Sequence, residues 1–369
     1  MGFGMVDAAM REVLGAWDWP EQVRADDADG GLINKTWWVR GAGGTHAVLQ
    51  QLNTRIFRPE VHEDIEAVTS RVAAAGLVTP RLVRTRTGGL WHVGPEAGTT
   101  GATGADGAVY RCLTVVGART VHKLDGPDRQ ADARSAARFV ARFHAAVQGL
   151  DWSFKMVRPG VHDTVAHFQR LRDAIDTYRS HRLYAEVAPL AERILGGWAP
   201  SPGAPLPTRV LHGDLKISNV RFVGSEAVAL VDLDTFQRGT LDIELGDAMR
   251  SWCNPVAESD PDARVEVDLF EAAMVGYAEG ARASGLSSSA MSDAEWDAVV
   301  PGIERVALEL ASRFAQDALA ETYFGFDPKY GGRGEHNLVR ARGQVALANS
   351  VSARRDELVQ AVARARRLS

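Results

Sequence analysis

The segment at 212–219 reads HGDLKISN, and a short apolar run leads from it to a second acidic position, Asp232. Asp214 has the chemistry to take a proton from an attacking hydroxyl, and Lys216 can neutralise charge on a phosphoryl group in transfer. Asn219 and Asp232 offer the hard oxygen ligands that magnesium prefers. These residue types predict phosphoryl transfer assisted by a divalent cation.

The spacing is similar to that of the protein-kinase catalytic loop, where an Asp lies two residues after a His and five before an Asn. Val210 and Leu211 form an apolar strand end before the loop, and a turn is expected at 224–226. The alternative is a buried polar turn in which Asp214 caps backbone N–H groups and His212 is a core histidine. That alternative explains each residue alone but not the whole set, so we predict an ATP-dependent phosphotransferase.

A kinase also needs a glycine turn over the phosphates, and Gly30 and Gly31 before a predicted strand can provide it. Two adjacent glycines also suit an ordinary turn. We predict further nucleotide contacts from Asn34 and Thr36. No GxxxxGK[ST] sequence occurs, which disfavours the P-loop architecture.

The strand that should carry a phosphate-binding lysine reads AVLQQ at 47–51, with Gln50 at the expected lysine position. Glutamine brings no charge, so the cation would come from Arg55, Lys35 or a metal. Glu63 is the candidate for the acid on the following helix, and a solvent-facing role is the alternative.

Element patterns predict an α+β fold of the protein-kinase-like bilobal type, with a small antiparallel sheet in the first lobe and a mostly helical second lobe. The boundary is expected near Gly117, giving a nucleotide-binding lobe at 1–116 and a helical lobe at 117–369 with the catalytic loop and acceptor pocket. The predicted strands are 32–39, 46–52, 90–93 and 109–116. The predicted helices are 59–74, 265–284, 293–319 and 340–367, and the tract at 97–108 is expected to be a mobile hairpin tip.

Composition narrows the class of protein. The 369 residues are 45% hydrophobic with a net charge of -5, which disfavours non-specific binding to nucleic acid or acidic membranes. The two cysteines indicate a reducing compartment, and we find neither a signal-peptide pattern nor an apolar run of membrane-spanning length. We expect a cytoplasmic enzyme, a monomer or weak homodimer, acting on a small molecule.

The chain resembles the aminoglycoside phosphotransferase and choline kinase superfamily, and within it the bacterial N-acetylhexosamine 1-kinases. The matching segments are LINKTWWV, AVLQQLNTRIF, PEVHEDI, RVLHGDLKISNVRF, LVDLDTFQRGTLDIELGDAMRSW, LELASRFAQDALAETYF and HNLVRARGQ. The resemblance implies that Asp214 is the catalytic base, that Asn219 and Asp232 hold magnesium, and that ATP phosphorylates the anomeric hydroxyl of an N-acetylhexosamine. It also implies that Asp234 joins the metal or orients a substrate hydroxyl. Members of that family tend to carry Gln at the position of Gln50.

The sequence departs from this family pattern at Ser218, where a second Asn is usual, and at His62 and Asp64, where Met and Asn are usual. These changes leave the phosphoryl-transfer chemistry intact but reduce what the resemblance says about the acceptor.

On the acceptor side, Trp252 could give a sugar an apolar face and Arg250 could bind its hydroxyls. The alternative is that Trp252 packs in the core and Arg250 pairs with an acid. The resemblance places Arg313 and Tyr323 at the sugar pocket, whereas a helical salt bridge from Arg313 to Glu309 or Asp317 is the competing interpretation.

Three other functions stay open. An aminoglycoside, choline or homoserine-type kinase would need an acceptor pocket with several carboxylates. A non-catalytic kinase-like binding protein would not need the complete set of Asp214, Asn219 and Asp232. A protein kinase would need an APE segment, which the sequence lacks.

Overall fold

The structure is a computed structural model that describes residues 3–28, 33–96, 107–157, 160–200, 205–284 and 291–368. The chain forms two compact units. Unit 1 comprises Met1–Ala118, Gly149–Val157 and Ala229–Phe236, and unit 2 comprises Arg119–Gln148, Arg158–Val228 and Gln237–Ser369.

Unit 1 is built on an antiparallel sheet. Its elements are α1 (Phe3–Leu14), β1 (Arg24–Asp27), β2 (Lys35–Gly41), β3 (Gly44–Gln51), α2 (Val61–Ala74), β4 (Leu82–Val83), β5 (His92–Gly94) and β6 (Ala108–Leu113). The strand order is β1-β2-β3-β6-β4, and β5 also pairs with β6.

The strand register explains which side chains this sheet buries. Trp37 on β2 lies opposite Leu49 on β3, which lies opposite Cys112 on β6, and these positions belong to the core with α1. Because side chains alternate across a strand, the neighbouring positions form a second, polar row on the other face. That row is Thr36, Gln50 and Arg111.

The helix α2 buries three polar residues, His62, Asp64 and Thr69, as well as its apolar stripe. Val61, Ile65 and Val68 are buried, as the helical spacing predicts, and so are His62 and Asp64. The reason for Asp64 lies far along the chain, in the part of unit 1 at 149–157. Asp64 accepts hydrogen bonds from Trp152 Nε1 at 2.8 Å and from Met156 N at 2.8 Å, which fastens this segment to the helix.

Unit 2 is mostly helical. Its strands are β7 (Arg119–Thr120), β8 (Arg209–Leu211), β9 (Val220–Val223), β10 (Glu226–Leu230), whose last residues belong to unit 1, and β11 (Gln237–Gly239). Its helices are α3 (Arg129–Val147), α4 (Thr164–Thr177), α5 (Tyr184–Gly196), α6 (Leu241–Trp252), α7 (Val267–Ala283), α8 (Asp293–Ala320), α9 (Arg333–Ala353) and α10 (Arg355–Arg366). Short 3-10 turns lie at Ile217–Asn219 in unit 2 and at Leu233–Thr235 in unit 1.

Helices α6 and α8 cross at two glycines. A Cβ on Gly302 would lie 2.2 Å from the carbonyl oxygen of Asp242, and a Cβ on Gly246 would lie 2.6 Å from the carbonyl oxygen of Gly302. Any larger residue would force the backbones apart, so these glycines set the distance between α6, which follows the catalytic loop, and α8, which carries Arg313.

The α+β prediction is confirmed, with an antiparallel sheet in the N-terminal part and helices in the C-terminal part. One helix prediction needs correction. The segment at 340–367 forms the end of α9 and a separate α10, because the helix is interrupted at Arg354, and Leu358 and Val362 of α10 are buried. No proline or glycine marks that break, and the sequence analysis also missed α1.

The boundary near Gly117 stays a prediction, and the expected hairpin tip lies largely outside the described residues. None of the helices in the described ranges combines the length and apolar character needed to cross a bilayer.

Candidate active site

The loop that follows β8 holds its shape through one glycine and one strand pairing. β8 pairs with β11, with Leu211 opposite Gln237. Gly213 has φ 79°, a left-handed conformation that a residue with a Cβ adopts only at a cost. The chain then turns through Ile217–Asn219 in a 3-10 turn and enters β9.

This loop brings together the two predicted catalytic residues and one predicted metal ligand. Lys216 Nζ lies 2.7 Å from Asp214 Oδ2, and Asn219 Nδ2 donates to the same oxygen at 3.0 Å and to the Asp214 carbonyl at 2.8 Å. The Asp214 side chain keeps 27% of its surface exposed, so the carboxylate is fixed in direction and still open to an incoming hydroxyl.

The same contacts orient Asn219. Asp214 presents only acceptor oxygens to it, so the amide nitrogen must face Asp214 and Oδ1 must face away. No hydrogen bond reaches Asn219 Oδ1 from any residue that the structure describes. An amide oxygen held in this way fits a hard cation.

Glu244 on α6 holds the loop from behind, and the sequence analysis missed it. Its carboxylate accepts hydrogen bonds from His212 N at 2.7 Å and Gly213 N at 3.0 Å, and it lies 3.2 Å from His144 Nε2. Burial alone would raise the pKa of Glu244, but the contacts with His144 and the backbone hold it below its usual value. A buried carboxylate at this place therefore stays ionised and fixes the backbone next to Asp214.

Trp252 corrects one prediction. It is fully buried, and its Nε1 donates to the Leu215 carbonyl at 2.7 Å. The neighbouring Ser251 Oγ accepts from Ile217 N at 3.0 Å. Trp252 thus supports the catalytic loop from the core and cannot give a sugar an apolar face.

Arg250 corrects a second prediction. It pairs with Asp247 at 2.7 Å and with Glu258 at 3.4 Å, as the alternative interpretation held. Burial alone would lower the pKa of Arg250, but Asp247, Glu258 and then Asp214 raise it above its usual value. This guanidinium is an internal counter-charge near the base.

Asp247 extends this group of charges. Burial alone would raise its pKa, but Arg250 holds it below the usual value, and the nearby His162 and Lys216 add to the effect. His162 in turn lies 3.0 Å from Glu309 Oε1 on α8, so ionisable side chains extend from Asp247 to α8.

On α8, the two acids that flank Arg313 are used elsewhere. Glu309 is buried, with His162 on one oxygen and Thr164 Oγ1 donating to the other at 2.6 Å. Asp317 is buried and accepts from the backbone N–H of Tyr323 at 2.9 Å and of Phe324 at 2.8 Å. The helical salt bridge is therefore not what forms.

Arg313 instead lies over an aromatic ring. Its guanidinium carbon is 5.5 Å from the centroid of Phe324, and no hydrogen-bonding partner for it occurs in the described ranges. Tyr323, with 66% of its surface exposed, contacts the same ring edge-on at 4.8 Å. The structure thus brings Arg313 and Tyr323 together as a cation and an aromatic face.

In unit 1, Asp232 adopts a strained backbone conformation. Its φ of 64° and ψ of 63° are left-handed, which is uncommon for a residue other than glycine, and its side chain is exposed. Strain of this kind persists only where neighbouring contacts impose it, and it occurs often at functional sites.

Asp234 corrects a third prediction. It is buried and forms a two-pronged ion pair with Arg111, whose Nη2 lies 2.8 Å from Asp234 Oδ2. Asn34 Nδ2 donates to the same oxygen at 2.8 Å. Both carboxylate oxygens are occupied inside unit 1, so Asp234 does not present a free oxygen to a substrate.

Asn34 corrects a fourth prediction for the same reason. Its nitrogen binds Asp234, its Oδ1 accepts from Asn53 N at 2.9 Å, and the side chain is buried. Asn34 ties the start of β2 to Asp234, and both polar atoms of its side chain are engaged within unit 1.

Arg111 provides the cation next to Gln50 that the sequence analysis did not find. Its Nε and Nη2 donate to Gln50 Oε1 at 2.9 and 2.7 Å, and Gln50 Nε2 donates to Thr36 Oγ1 at 3.3 Å. Lys35 and Arg55, proposed for that role, are exposed. An arginine inside the apolar stretch at 108–113 was the available signal, since a buried charge needs a partner.

His62 shares this environment, whereas Glu63 is not among the buried residues of α2. His62 Nδ1 lies 2.6 Å from the Pro59 carbonyl, and its ring stacks on Trp91 at 5.3 Å. Burial, together with the charge of Arg111, lowers the pKa of His62 to about 4. A nucleotide contact by Glu63 stays a prediction, and Gly30 and Gly31 lie outside the described residues.

Residues 26–280 match the model of the APH group, described as the phosphotransferase enzyme family. The chain belongs to this family. The match spans both the polar row of unit 1 and the catalytic loop of unit 2, and it covers more than half of the chain.

Solved structures agree on the fold. Amicoumacin kinase hAmiN, in complex with AMP-PNP, Ca²⁺ and Ami, is similar with a TM-score of 0.59 and 12% identity over 91% of each chain. A microcompartment-associated aminopropanol kinase has a TM-score of 0.57 and 15% identity over 93% of this chain and 96% of that one. Choline kinase from Cryptosporidium parvum Iowa II has a TM-score of 0.54 and 10% identity over 97% and 96%. The kinase-like fold expected from the sequence is thereby confirmed.

Within the described ranges, no cluster of three or more His, Cys, Asp or Glu side chains forms a metal site. The metal ligands proposed from the sequence are one amide and one carboxylate. This pair would leave most coordination positions of the cation to other oxygen ligands.

Proposed function

We propose that this protein is a magnesium-dependent kinase that transfers the γ-phosphoryl group of ATP to a hydroxyl of an amino sugar, most specifically the anomeric hydroxyl of an N-acetylhexosamine. The arrangement of Asp214 carries the proposal, because its carboxylate is oriented by Lys216 and Asn219 and remains accessible. Membership in the phosphotransferase family and the nucleotide analogue in the amicoumacin kinase structure support ATP as the donor.

In this mechanism Asp214 accepts the proton of the acceptor hydroxyl. The hydroxyl oxygen bonds to the γ-phosphorus while the bond from that phosphorus to the β,γ-bridging oxygen of ATP breaks. Lys216, already 2.7 Å from the base, is placed to move its ammonium toward the transferring phosphoryl oxygens. Glu244 keeps the backbone on the N-terminal side of the base fixed throughout.

Asn219 and Asp232 are the residues that would hold the metal. The Oδ1 of Asn219, which faces away from Asp214, and the exposed, strained Asp232 fit a hard cation. When bound, magnesium supplies charge neutralisation for the phosphates.

The surroundings of Arg313 support an acceptor that is not strongly cationic. The nearby acids Glu309 and Asp317 are buried and already hydrogen-bonded, which leaves the half-buried guanidinium of Arg313 and the exposed ring of Tyr323. A guanidinium suits the oxygens of a sugar or N-acetyl group. A cationic acceptor such as choline would be repelled by this guanidinium.

The test is a screen with ATP labelled at the γ-position. Wild-type protein is incubated with N-acetylglucosamine, N-acetylgalactosamine, the free amino sugars, kanamycin and choline, and an Asp214→Asn variant is the control for contaminating kinases. Phosphate on the anomeric oxygen of an N-acetylhexosamine, found by phosphorus NMR, is the expected result. Transfer only to kanamycin or choline overturns the acceptor class, and failure to bind ATP overturns the kinase proposal itself. A cytoplasmic location and a monomeric or weakly dimeric state belong to the same proposal.

A further inference from the structure

Three strands of unit 1 supply a continuous polar row that ends at Asp234. Thr36 on β2, Gln50 on β3 and Arg111 on β6 are direct neighbours in the register. Gln50 links its two neighbours by hydrogen bonds, and Arg111 grips both oxygens of Asp234. The row therefore connects a rigid sheet to the segment that carries Asp232.

Stability alone does not explain this ion pair. Arg111 is 2% exposed, and removing either charge from such a pair is costly because the other is left uncompensated. Well-packed apolar residues of similar volume, however, would serve stability at least as well. The charged pair adds a fixed orientation, because a guanidinium fork and a carboxylate hold each other in one geometry.

The fixed orientation of Asp234 constrains a residue very close to it in the chain. Asp234 lies in the turn Leu233–Thr235, and Asp232 is the residue immediately before this turn, in the left-handed conformation. Leu233 between them is buried. A turn clamped at Asp234 leaves Asp232 little freedom to relax its backbone, since strained residues persist only when neighbouring contacts determine them.

We propose that Arg111 is a positioning residue for the metal ligand: by gripping Asp234 it holds the turn that presents Asp232 to the cation. This inference rests on the proposed function. In this enzyme the cation next to Gln50 acts on the metal through Asp234, rather than on the nucleotide directly. Losing a residue that orients a metal ligand typically lowers metal affinity by about 10–100-fold.

The experiment measures the coupling between metal and nucleotide. The dissociation constant of AMP-PNP is determined by calorimetry in EDTA and in Mn²⁺. The constant in EDTA divided by the constant in Mn²⁺ reports how much the metal contributes to nucleotide binding. Arg111→Lys keeps the charge but loses the fork, and the double variant R111M/D234N removes both charges so that neither is left buried alone. Arg84→Lys, at an exposed arginine of the same unit, is the matched control, and Asp232→Asn is the reference for complete loss.

The expected result is a ratio about 10-fold smaller than wild type in Arg111→Lys and in the double variant, with the constant in EDTA unchanged. A merely structural role would weaken AMP-PNP binding equally under both conditions or not at all. An unchanged ratio therefore overturns the inference. If neither variant folds, the contact serves stability and the inference is likewise rejected. If wild type binds AMP-PNP with normal coupling to metal, these outcomes concern Arg111 alone. If wild type does not bind it, the proposed function fails and the inference fails with it.

Discussion

Glu244 accepts hydrogen bonds from the backbone N–H of His212 and of Gly213, at 2.7 and 3.0 Å, from a helix that begins well after the catalytic loop. A buried carboxylate therefore fixes the two residues that precede the proposed base. Glu244 thus helps to set the position of Asp214, together with Lys216 and Asn219.

Replacing Glu244 with Gln should impair both folding and turnover. Glutamine has one acceptor oxygen, so its amide nitrogen would face a backbone donor, and we expect a loss of about 2 kcal/mol or more in unfolding free energy. The turnover number of the folded fraction should fall about 10–100-fold because the base is displaced. Denaturation and steady-state assays measure the two effects.

The matched control for this change is Glu226→Gln, which removes an exposed ion pair with Arg138. It should leave both quantities nearly unchanged. A Glu244→Gln variant whose activity follows only the folded fraction would limit Glu244 to a role in stability.

Replacing Asp214 with Asn should remove the proposed base and retain nucleotide binding. We expect the turnover number to fall about 10²–10⁴-fold, because asparagine cannot accept the hydroxyl proton. AMP-PNP affinity, measured by calorimetry, should stay within a few-fold of wild type. Asp176→Asn, at an exposed ion pair, is the control, and near-normal turnover of Asp214→Asn contradicts the assignment.

Arg313 should contribute to acceptor affinity rather than to chemistry. Arg313→Met should raise the KM for the acceptor about tenfold or more, as expected for losing a hydrogen bond from a charged group, with a smaller change in kcat. Arg313→Lys should lie between, since lysine lacks the planar fork.

Arg342→Met, at a half-exposed ion pair with Glu186 on another surface, serves as the control for Arg313. An unchanged acceptor KM in Arg313→Met would remove Arg313 from the acceptor site. An increase in the KM for ATP alone would place it at the nucleotide.

His62 predicts a pH dependence of stability. Its folded pKa of about 4 lies below the usual 6.5, so the unfolded chain binds more protons between these values. Stability from this residue is therefore fully present above pH 6.5 and is lost as the pH falls toward 4, by about 3 kcal/mol at most. Urea titrations across this pH range measure the slope.

His62→Phe keeps an aromatic ring against Trp91 but cannot be protonated, so its unfolding free energy should depend less on pH over the same range. His122→Phe, at an exposed histidine, should retain the wild-type slope. Equal slopes for wild type and His62→Phe would show that His62 does not titrate with folding.

The sequence alone determined the features that depend on local spacing. The order of Asp214, Lys216 and Asn219 predicted their chemistry because a short loop brings residues two and five apart together. Alternating strands and the stripe of α2 were equally predictable, because a period of two or of 3.6 residues fixes which side is buried.

Only the tertiary structure decided which polar residues are buried. Trp252 and Asp234 were expected at the substrate, but contacts with Leu215 and Arg111 place them inside. Arg111 and Asp234 are separated by more than one hundred positions, and no local pattern pairs them. A charged side chain can be buried only where a partner for it is also buried, and the tertiary fold decides which residue that partner is.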